Sequence, residues 1–468
     1  MFRTCANPLI RCRRQEKLIS QFFNLAEQNT AGSPILNYRA SRNPRNQGKY
    51  MGFATISAVP ITSDSIDKMP YITNGGLLRV EKHIVPAFPI RELVRGVRTG
   101  NEKLELVANC YRPLSNLNPQ PGDLTILAAH GNGFHKELYE PFFEALVEEY
   151  EMKGSRIRSI WIADFHNQGE SGVLNEGKLG GDVSWYDHSR DLLSLVMHLQ
   201  NDFSRPIAAI GHSMGGTQLF NLSLLHPTLF SCVIGLDPVI SPLPALPGTS
   251  PGNPATLSAK RRDIWSSYEE AVEYFKSRPF YREWDPKVLE IHMKYGLRKV
   301  PTALYPDVTK VGPDAVTLRT TKHQEVFTFW RSRIQDRTEP KEVFSRLKDM
   351  KAPVCYIQGE DSIVNWGNKN ELMMVNTPQP CEIHFIPKCG HLVPLQKPKE
   401  TAIIAATYLQ RHTAIWNEET EQEKENWPAT TTISPHYFEH RLRERTQADN
   451  HSSYDAGVGH QTPIESHV

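Results

Sequence analysis

Apolar residues gather into six short runs along the middle of the chain. They are "LTILAAHG" (124–131), "IRSIWIADF" (157–165), "PIAAIGHS" (206–213), "SCVIGLDPVI" (231–240), "APVCYIQGED" (352–361) and "CEIHFIPKCG" (381–390). The runs are nearly continuous rather than alternating, which suits strands covered on both faces, as in a parallel sheet. Helical patterns separate them. In "SWYDHSRDLLSLVMHLQ" (184–200), Trp185, Leu192, Val196 and Leu199 share one face, and Ser184 with Asp187 forms a capping-box signature. Strand–helix alternation of this kind predicts a doubly wound α/β sheet, mostly parallel. The stretch 241–345 interrupts it, opening with "SPLPALPGTSPGNP" and turning aromatic and helix-prone in "IWSSYEEAVEYF". About 100 residues is too long for a plain loop, so this stretch is expected to be a helical cap inserted over the sheet's edge.

The ends break the pattern. Residues 1–50 carry nine Lys and Arg (3, 11, 13, 14, 17, 39, 42, 45 and 49) against two acids, Glu16 and Glu27. Such a start has the composition of a mitochondrial transit peptide or of a disordered basic arm. Residues 413–468 are polar without periodicity. The chain is therefore divided into a basic, largely disordered arm (1–76), an α/β domain (77–412) holding the cap (241–345), and a polar, mostly disordered tail (413–468). Apolar residues make up 39% of the chain, below the usual ~45–50%, as polar ends diluting a normal core would give. The net charge of +1 supplies no field to attract nucleic acid. No apolar run is long enough for a transmembrane segment. Seven scattered cysteines without CxxC pairs indicate neither a disulfide framework nor a zinc site, and no cofactor or metal is expected.

Chemistry enters at "GHSMGG" (211–216), which follows one apolar run and precedes the helical "GTQLFNLSLLHP" (216–227). With Gly near 7% and Ser taken as equally frequent, Gly-x-Ser-x-Gly arises by chance in roughly one such chain in six, so its placement matters more than its spelling. Between strand and helix it is a nucleophile elbow, the mark of the α/β-hydrolase fold. The sharp turn lifts the Ser213 hydroxyl clear of the sheet. "AAHGNGF" ends an earlier run, and in this architecture that loop shares the oxyanion hole with the residue after the nucleophile. The two donors are assigned to the backbone of Asn132 and Met214. His130 and His212 are expected to pack or hydrogen-bond within these turns. A serine hydroxyl needs a base within reach, and His391, in "CGHLVPLQKP", stands last in the order Ser, acid, His. Two aspartates compete to orient it. Asp361, in "QGEDSIV", follows the next-to-last strand but stands one residue early for a Gly-x-x-Asp loop, where Ser362 occupies that step. Asp237, in "VIGLDPVI", ends the strand after the elbow helix and is preferred; its bland alternative is a turn-stabilising aspartate before Pro238.

Other chemistries are weighed against this. A dehalogenase or epoxide hydrolase needs Asp at the elbow, which Ser213 opposes. An acyltransferase would use the same residues. A non-catalytic binding module would tolerate a damaged nucleophile, base or hole, yet all three are intact.

Together "HGNGFHKE", "IWIAD…GESG", "GHSMGG", "LDPVI", "TTKHQEVFTFW" and "GHLVP" resemble the fungal α/β-hydrolases of host-selective toxin biosynthesis, of the AK-toxin hydrolase kind, and more distantly the yeast peroxisomal lipase. The resemblance covers roughly 77–411 and is most specific in the elbow and in "RSIWIADFHNQGESGVLNEGKLG". It implies an α/β-hydrolase fold and a serine esterase, lipase or thioesterase acting on a small-molecule acyl ester or thioester. It also implies a Gly-x-x-Ser loop without the aspartate after the next-to-last strand, and often a peroxisomal address. Such proteins often end in a Ser-Lys-Leu-like tripeptide; this chain ends Ser466-His467-Val468. The peroxisome is therefore expected, with cytoplasm and mitochondrion as alternatives. The expected reaction is acyl transfer from Ser213 to water, with Trp265, Tyr268, Tyr274 and Phe275 lining an apolar acyl pocket or packing inside the cap.

Overall fold

A computed structural model describes residues 66–243, 253–330, 337–426 and 435–451. The basic residues 1–65 and the terminal Ser-His-Val lie outside the described residues. A nine-stranded sheet organises the chain: β1 (Tyr71–Ile72), β2 (Leu78–Pro86), β3 (Glu105–Pro113), β4 (Leu124–Ala129), β5 (Ile157–Ala163), β6 (Ile207–His212) and β7 (Cys232–Leu236). Three short strands follow in the insertion, β8 (Ile264–Trp265), β9 (Leu297–Lys299) and β10 (Val316–Leu318), before β11 (Val354–Gly359) and β12 (Cys381–Ile386) complete the large sheet. Its order is β1-β2-β3-β5-β4-β6-β7-β11-β12. The pairings from β1 to β5 are antiparallel, and every pairing from β5 to β12 is parallel.

All six apolar runs are strands of the parallel half. β4, β6, β7 and β11 are buried at every residue, as two covered faces require. On β4, Ile126 and Ala128 join the core beneath the helices Glu140–Glu151 and Pro398–Asn426. Leu127 and Ala129, alternating with them, join the opposite core beneath the helices Trp185–His198 and Met214–Leu225. The capping box at Ser184 is half made. Ser184 Oγ accepts the Tyr186 N–H at 3.2 Å, but the Asp187 carboxylate accepts the Glu92 N–H instead, at 2.8 Å.

The insertion carries five helices among its described residues, Pro254–Lys260, Tyr268–Ser277, Pro279–Arg282, Pro286–Tyr295 and Lys322–Phe329, and also the small antiparallel sheet β8-β10-β9. Glu339–Ser345 returns to the main core, where Val343 is buried. Residues placed in the two flanking segments take part in the domain. Tyr71–Ile72 pair with β2, and the Tyr150 hydroxyl donates to Thr413 Oγ1 at 2.9 Å. Helix Pro398–Asn426 crosses the boundary drawn at 412, and Pro435–His451 is also helical. Beyond Trp416 the long helix turns polar on all sides, so no apolar stripe marks it in the sequence.

Candidate active site

Ser213 stands between the last residue of β6 and the first of the helix Met214–Leu225, at φ 55° and ψ −118°. Non-glycine residues rarely hold a positive φ, and doing so stores strain. The turn is possible because its flanks carry no Cβ. One on Gly215 would sit 2.3 Å from Ala129 O, and one on Gly211 would sit 2.5 Å from Gly215 O. Backbone bonds tie the turn to β7: the Ser213 N–H donates to Leu236 O at 3.0 Å and the Val239 N–H to Ser213 O at 3.1 Å.

Around this serine the structure gathers residues far apart in sequence. His391, on the loop after β12, places Nε2 2.8 Å from Ser213 Oγ. Its Nδ1 lies 3.4 Å from Asp237 Oδ2, and Asp237 is wholly buried. Asp237 follows β7, and its N–H donates to Ile357 O on β11 at 2.8 Å, so the parallel ladder fixes where it points. Asp361 is exposed after β11, with its N–H donating to Cys389 O; the ion pair of His391 is to Asp237.

The turn after β4 comes beside the elbow. The Gly131 N–H donates to Tyr139 Oη at 2.9 Å, and Tyr139 Oη in turn donates to His212 Nδ1 at 2.7 Å. That leaves His212 Nε2–H to donate to His391 O at 3.1 Å. Burial drives His212 down to about 3, so the ring is a neutral link. His130 is similar: burial lowers its pKa, and its Nε2 accepts the Phe165 N–H at 2.9 Å. Both histidines therefore serve the turns. Met214 opens a helix whose positive end faces the serine. Among the described residues neither the Asn132 nor the Met214 amide makes a backbone hydrogen bond.

Side chains invisible to motif reading complete the surroundings. Gln168 accepts the Gly133 N–H at 2.9 Å and donates to Asn132 Oδ1 at 2.6 Å and to Thr328 Oγ1 at 3.2 Å. Phe134 stacks on His212 with centroids 6.0 Å apart and meets the edge of Trp284 at 5.7 Å. The four aromatics nominated for the acyl pocket lie elsewhere. Trp265 and Phe275 are buried against Tyr274 inside the cap, and Tyr268 is exposed. Trp284, not they, reaches toward the elbow. Its position in the bend just past the short helix Pro279–Arg282 has no signature beyond being one aromatic among many. No helix among the described residues is long and apolar enough to cross a membrane.

The sheet order, the strained serine after β6 and the histidine beyond the last strand define an α/β-hydrolase. The chain belongs to the Alpha/beta hydrolase family, whose profile matches residues 126–403, and is a hydrolase. It is 32% identical over 370 residues to the type I acyl-CoA thioesterase mpaH of Penicillium roqueforti, covering 68% of this chain and 84% of that protein. It is 28% identical over 236 residues to the abhydrolase domain-containing protein ACTT2-1 of Alternaria alternata, covering 46% of this chain and 87% of that one. Among solved structures, the peroxisomal alpha-beta-hydrolase Lpx1 of Saccharomyces cerevisiae superposes with a TM-score of 0.63 at 20% identity, over 81% of this chain and 99% of that one. The expected fold and the resemblance to toxin-pathway and yeast peroxisomal hydrolases thus hold.

Proposed function

We propose that this protein hydrolyses a small-molecule acyl thioester or ester through an acyl-enzyme on Ser213. The observation that carries this is the 2.8 Å contact between His391 Nε2 and Ser213 Oγ at a strained elbow. His391 Nε2 takes the hydroxyl proton as Ser213 Oγ attacks the acyl carbonyl. The amides of Asn132 and Met214 receive the oxyanion. Asp237 holds the imidazole in the Nδ1–H tautomer and stabilises the imidazolium. The tetrahedral species collapses, the thiolate or alkoxide leaves with the proton from His391, and a water deprotonated by the same ring releases the acid. The acyl-CoA thioesterase relatives favour a thioester substrate.

Fluorophosphonate labelling, followed by acyl esters and CoA thioesters of graded chain length, tests the reading. Label on Ser213, its loss in Ser213→Ala and turnover of at least one acyl class are expected. Folded protein left unlabelled at Ser213 overturns the proposal. For location the proposal is the peroxisome, supported by similarity to a yeast peroxisomal protein. Imaging a fusion with a free C-terminus checks it, and diffuse or mitochondrial signal counts against it.

A further inference from the structure

Asp237 poses an electrostatic problem. It is wholly buried, and neither carboxylate oxygen accepts a hydrogen bond among the described residues. Among the described residues its ion-pair partner is His391, at 3.4 Å, which carries a charge only when protonated. An ionised carboxylate so placed is costly unless a positive charge stands near. A candidate cation lies on the other side of the turn. Lys369 opens the helix Lys369–Asn376 and is 2% exposed. Its ammonium donates to Pro238 O at 3.2 Å and to Val364 O at 3.1 Å, both neutral carbonyls. Pro238 is the residue directly after Asp237. Lysine is rarely buried on carbonyls alone. Among the described residues, the compensating charge is that of Asp237, whose field supports the ammonium against its burial.

We propose that Lys369 is a positioning residue for the site: its buried ammonium pins the Asp237–Pro238 turn and sets a positive charge behind it, so that His391 stays aimed at Ser213. This rests on Ser213, His391 and Asp237 being the reacting triad. It also gives a use to the loop after β11, where Asp361 was the competing acid. That loop leads into a helix that contributes a cation to an acid placed one strand away.

The charge has a definite pH range. Burial lowers Lys369 from its ordinary 10.5 to about 8, with Asp237 opposing the shift. The other titratable neighbours of the Asp237 carboxylate are His391 and Cys389, whose thiol burial pushes up to about 12. On the segments flanking Lys369, Asp361 and Glu371 are exposed. Below about pH 8 the ammonium is present; above it, the native protein loses the charge. Activity should fall there. Stability should move the opposite way, because between about 8 and 10.5 the unfolded chain holds a proton that the native state has shed.

The test compares Lys369→Gln, which keeps a donor but no charge, with Lys369→Arg, which keeps the charge. Each is made alone and with Asp237→Asn, and kcat, KM and their pH profiles are measured on a chromogenic acyl ester. Groups in one charged network couple strongly, so Lys369→Gln should lower kcat roughly 10-fold near neutral pH with KM nearly unchanged. It should also abolish the alkaline fall that begins near pH 8 in the parent. Lys369→Arg should retain most of the rate and carry the fall to higher pH. In the Asp237→Asn background Lys369→Gln should change kcat less than about 2-fold, since the charge it removes has lost its target. An equal loss in both backgrounds, or an alkaline fall that survives Lys369→Gln, overturns the proposal. If Lys369→Gln fails to fold, a parent rate that stays level from neutral to alkaline pH overturns it alone. Fluorophosphonate labelling of the parent separates the two readings. Ser213 unlabelled removes the triad and this proposal together, whereas Ser213 labelled with additive substitutions removes only the role of Lys369.

Discussion

Replacing Asp237 by Asn isolates the electrostatic contribution of the acid. The substitution keeps the size of a side chain packed at full burial and removes one negative charge 3.4 Å from His391 Nδ1. At that separation and an effective dielectric constant near 20, a carboxylate and an imidazolium attract by about 5 kcal/mol. The imidazolium exists in the transition state and not in the resting site, so the loss falls on kcat rather than on binding. At ~1.4 kcal/mol per factor of ten, the expected decrease is roughly 10³- to 10⁴-fold, the same order as acid-to-amide changes in other serine triads. The assay is steady-state hydrolysis of a chromogenic acyl ester, with thermal melting as the control for folding. Asp361→Asn is the companion variant, and its exposure predicts a change within about twofold. The reasoning is refuted if Asp237→Asn stays within tenfold of the parent while melting normally, or if Asp361→Asn loses more.

Burial raises the Glu140 carboxyl from 4.5 to about 8, against the Tyr71 hydroxyl that donates to it at 2.6 Å. The native state keeps this proton where the unfolded chain has lost it, so the contribution is fully present below about 4.5 and is lost as pH rises to about 8. Glu140→Gln should therefore flatten the melting temperature over that window and raise stability at its alkaline end by a few kcal/mol, at ~1.4 kcal/mol per unit of pKa shift; an unchanged slope would contradict this. Gly215→Ala drives a Cβ to 2.3 Å from Ala129 O and 2.7 Å from His130 O, both backbone. It should cost about 2–3 kcal/mol in denaturant unfolding, and parent-like stability would show that the elbow has room. Tyr139→Phe strands the Gly131 N–H and His212 Nδ1, both buried. A stability loss of about 2–4 kcal/mol is expected, with kcat falling more than KM rises; an unaffected kcat would show that the link does not steady the site.

The parallel half of the sheet was legible because strands covered on both faces leave continuous apolar runs. The antiparallel start was not. β2 reads "LRVEKHIVP", in which Arg79, Glu81 and Lys82 interrupt the apolar residues, as an outer strand permits. The cap strands span only two or three residues, too short for any periodicity to show. Ser213 and His391 were legible for a different reason: the elbow and the order of the triad are constraints on sequence itself. The acid was left between two positions because a loop aspartate's direction is set by the strand ladder beneath it, here the bond from Asp237 N–H to Ile357 O. Lys369 was beyond reach altogether. It meets Pro238 across 131 residues, and nothing in its own segment marks it as buried.

The cap touches the site from both sides, and this explains why one of its segments carried resemblance without suggesting any chemistry. In "TTKHQEVFTFW" the polar residues face the loop after β4 that carries Asn132, one of the two proposed oxyanion donors. Glu325 O accepts from Asn132 Nδ2 at 3.1 Å, and Thr328 Oγ1 accepts from Asn167 Nδ2 at 3.0 Å and from Gln168 Nε2 at 3.2 Å. On the opposite side, the Asp285 N–H donates to Leu395 O at 2.8 Å. Gln396 bridges the two parts, accepting the Gly390 N–H at 2.7 Å and donating to Glu283 at 3.1 Å. One set of contacts steadies Asn132, the other the residue before His391. These bonds fasten the cap on both sides of the site, so a shift of the cap as a body would disturb Asn132 and the His391 loop together. Positions in this segment are thus tied to the loop beside the elbow, whereas Trp265, Tyr274 and Phe275 pack against one another inside the cap.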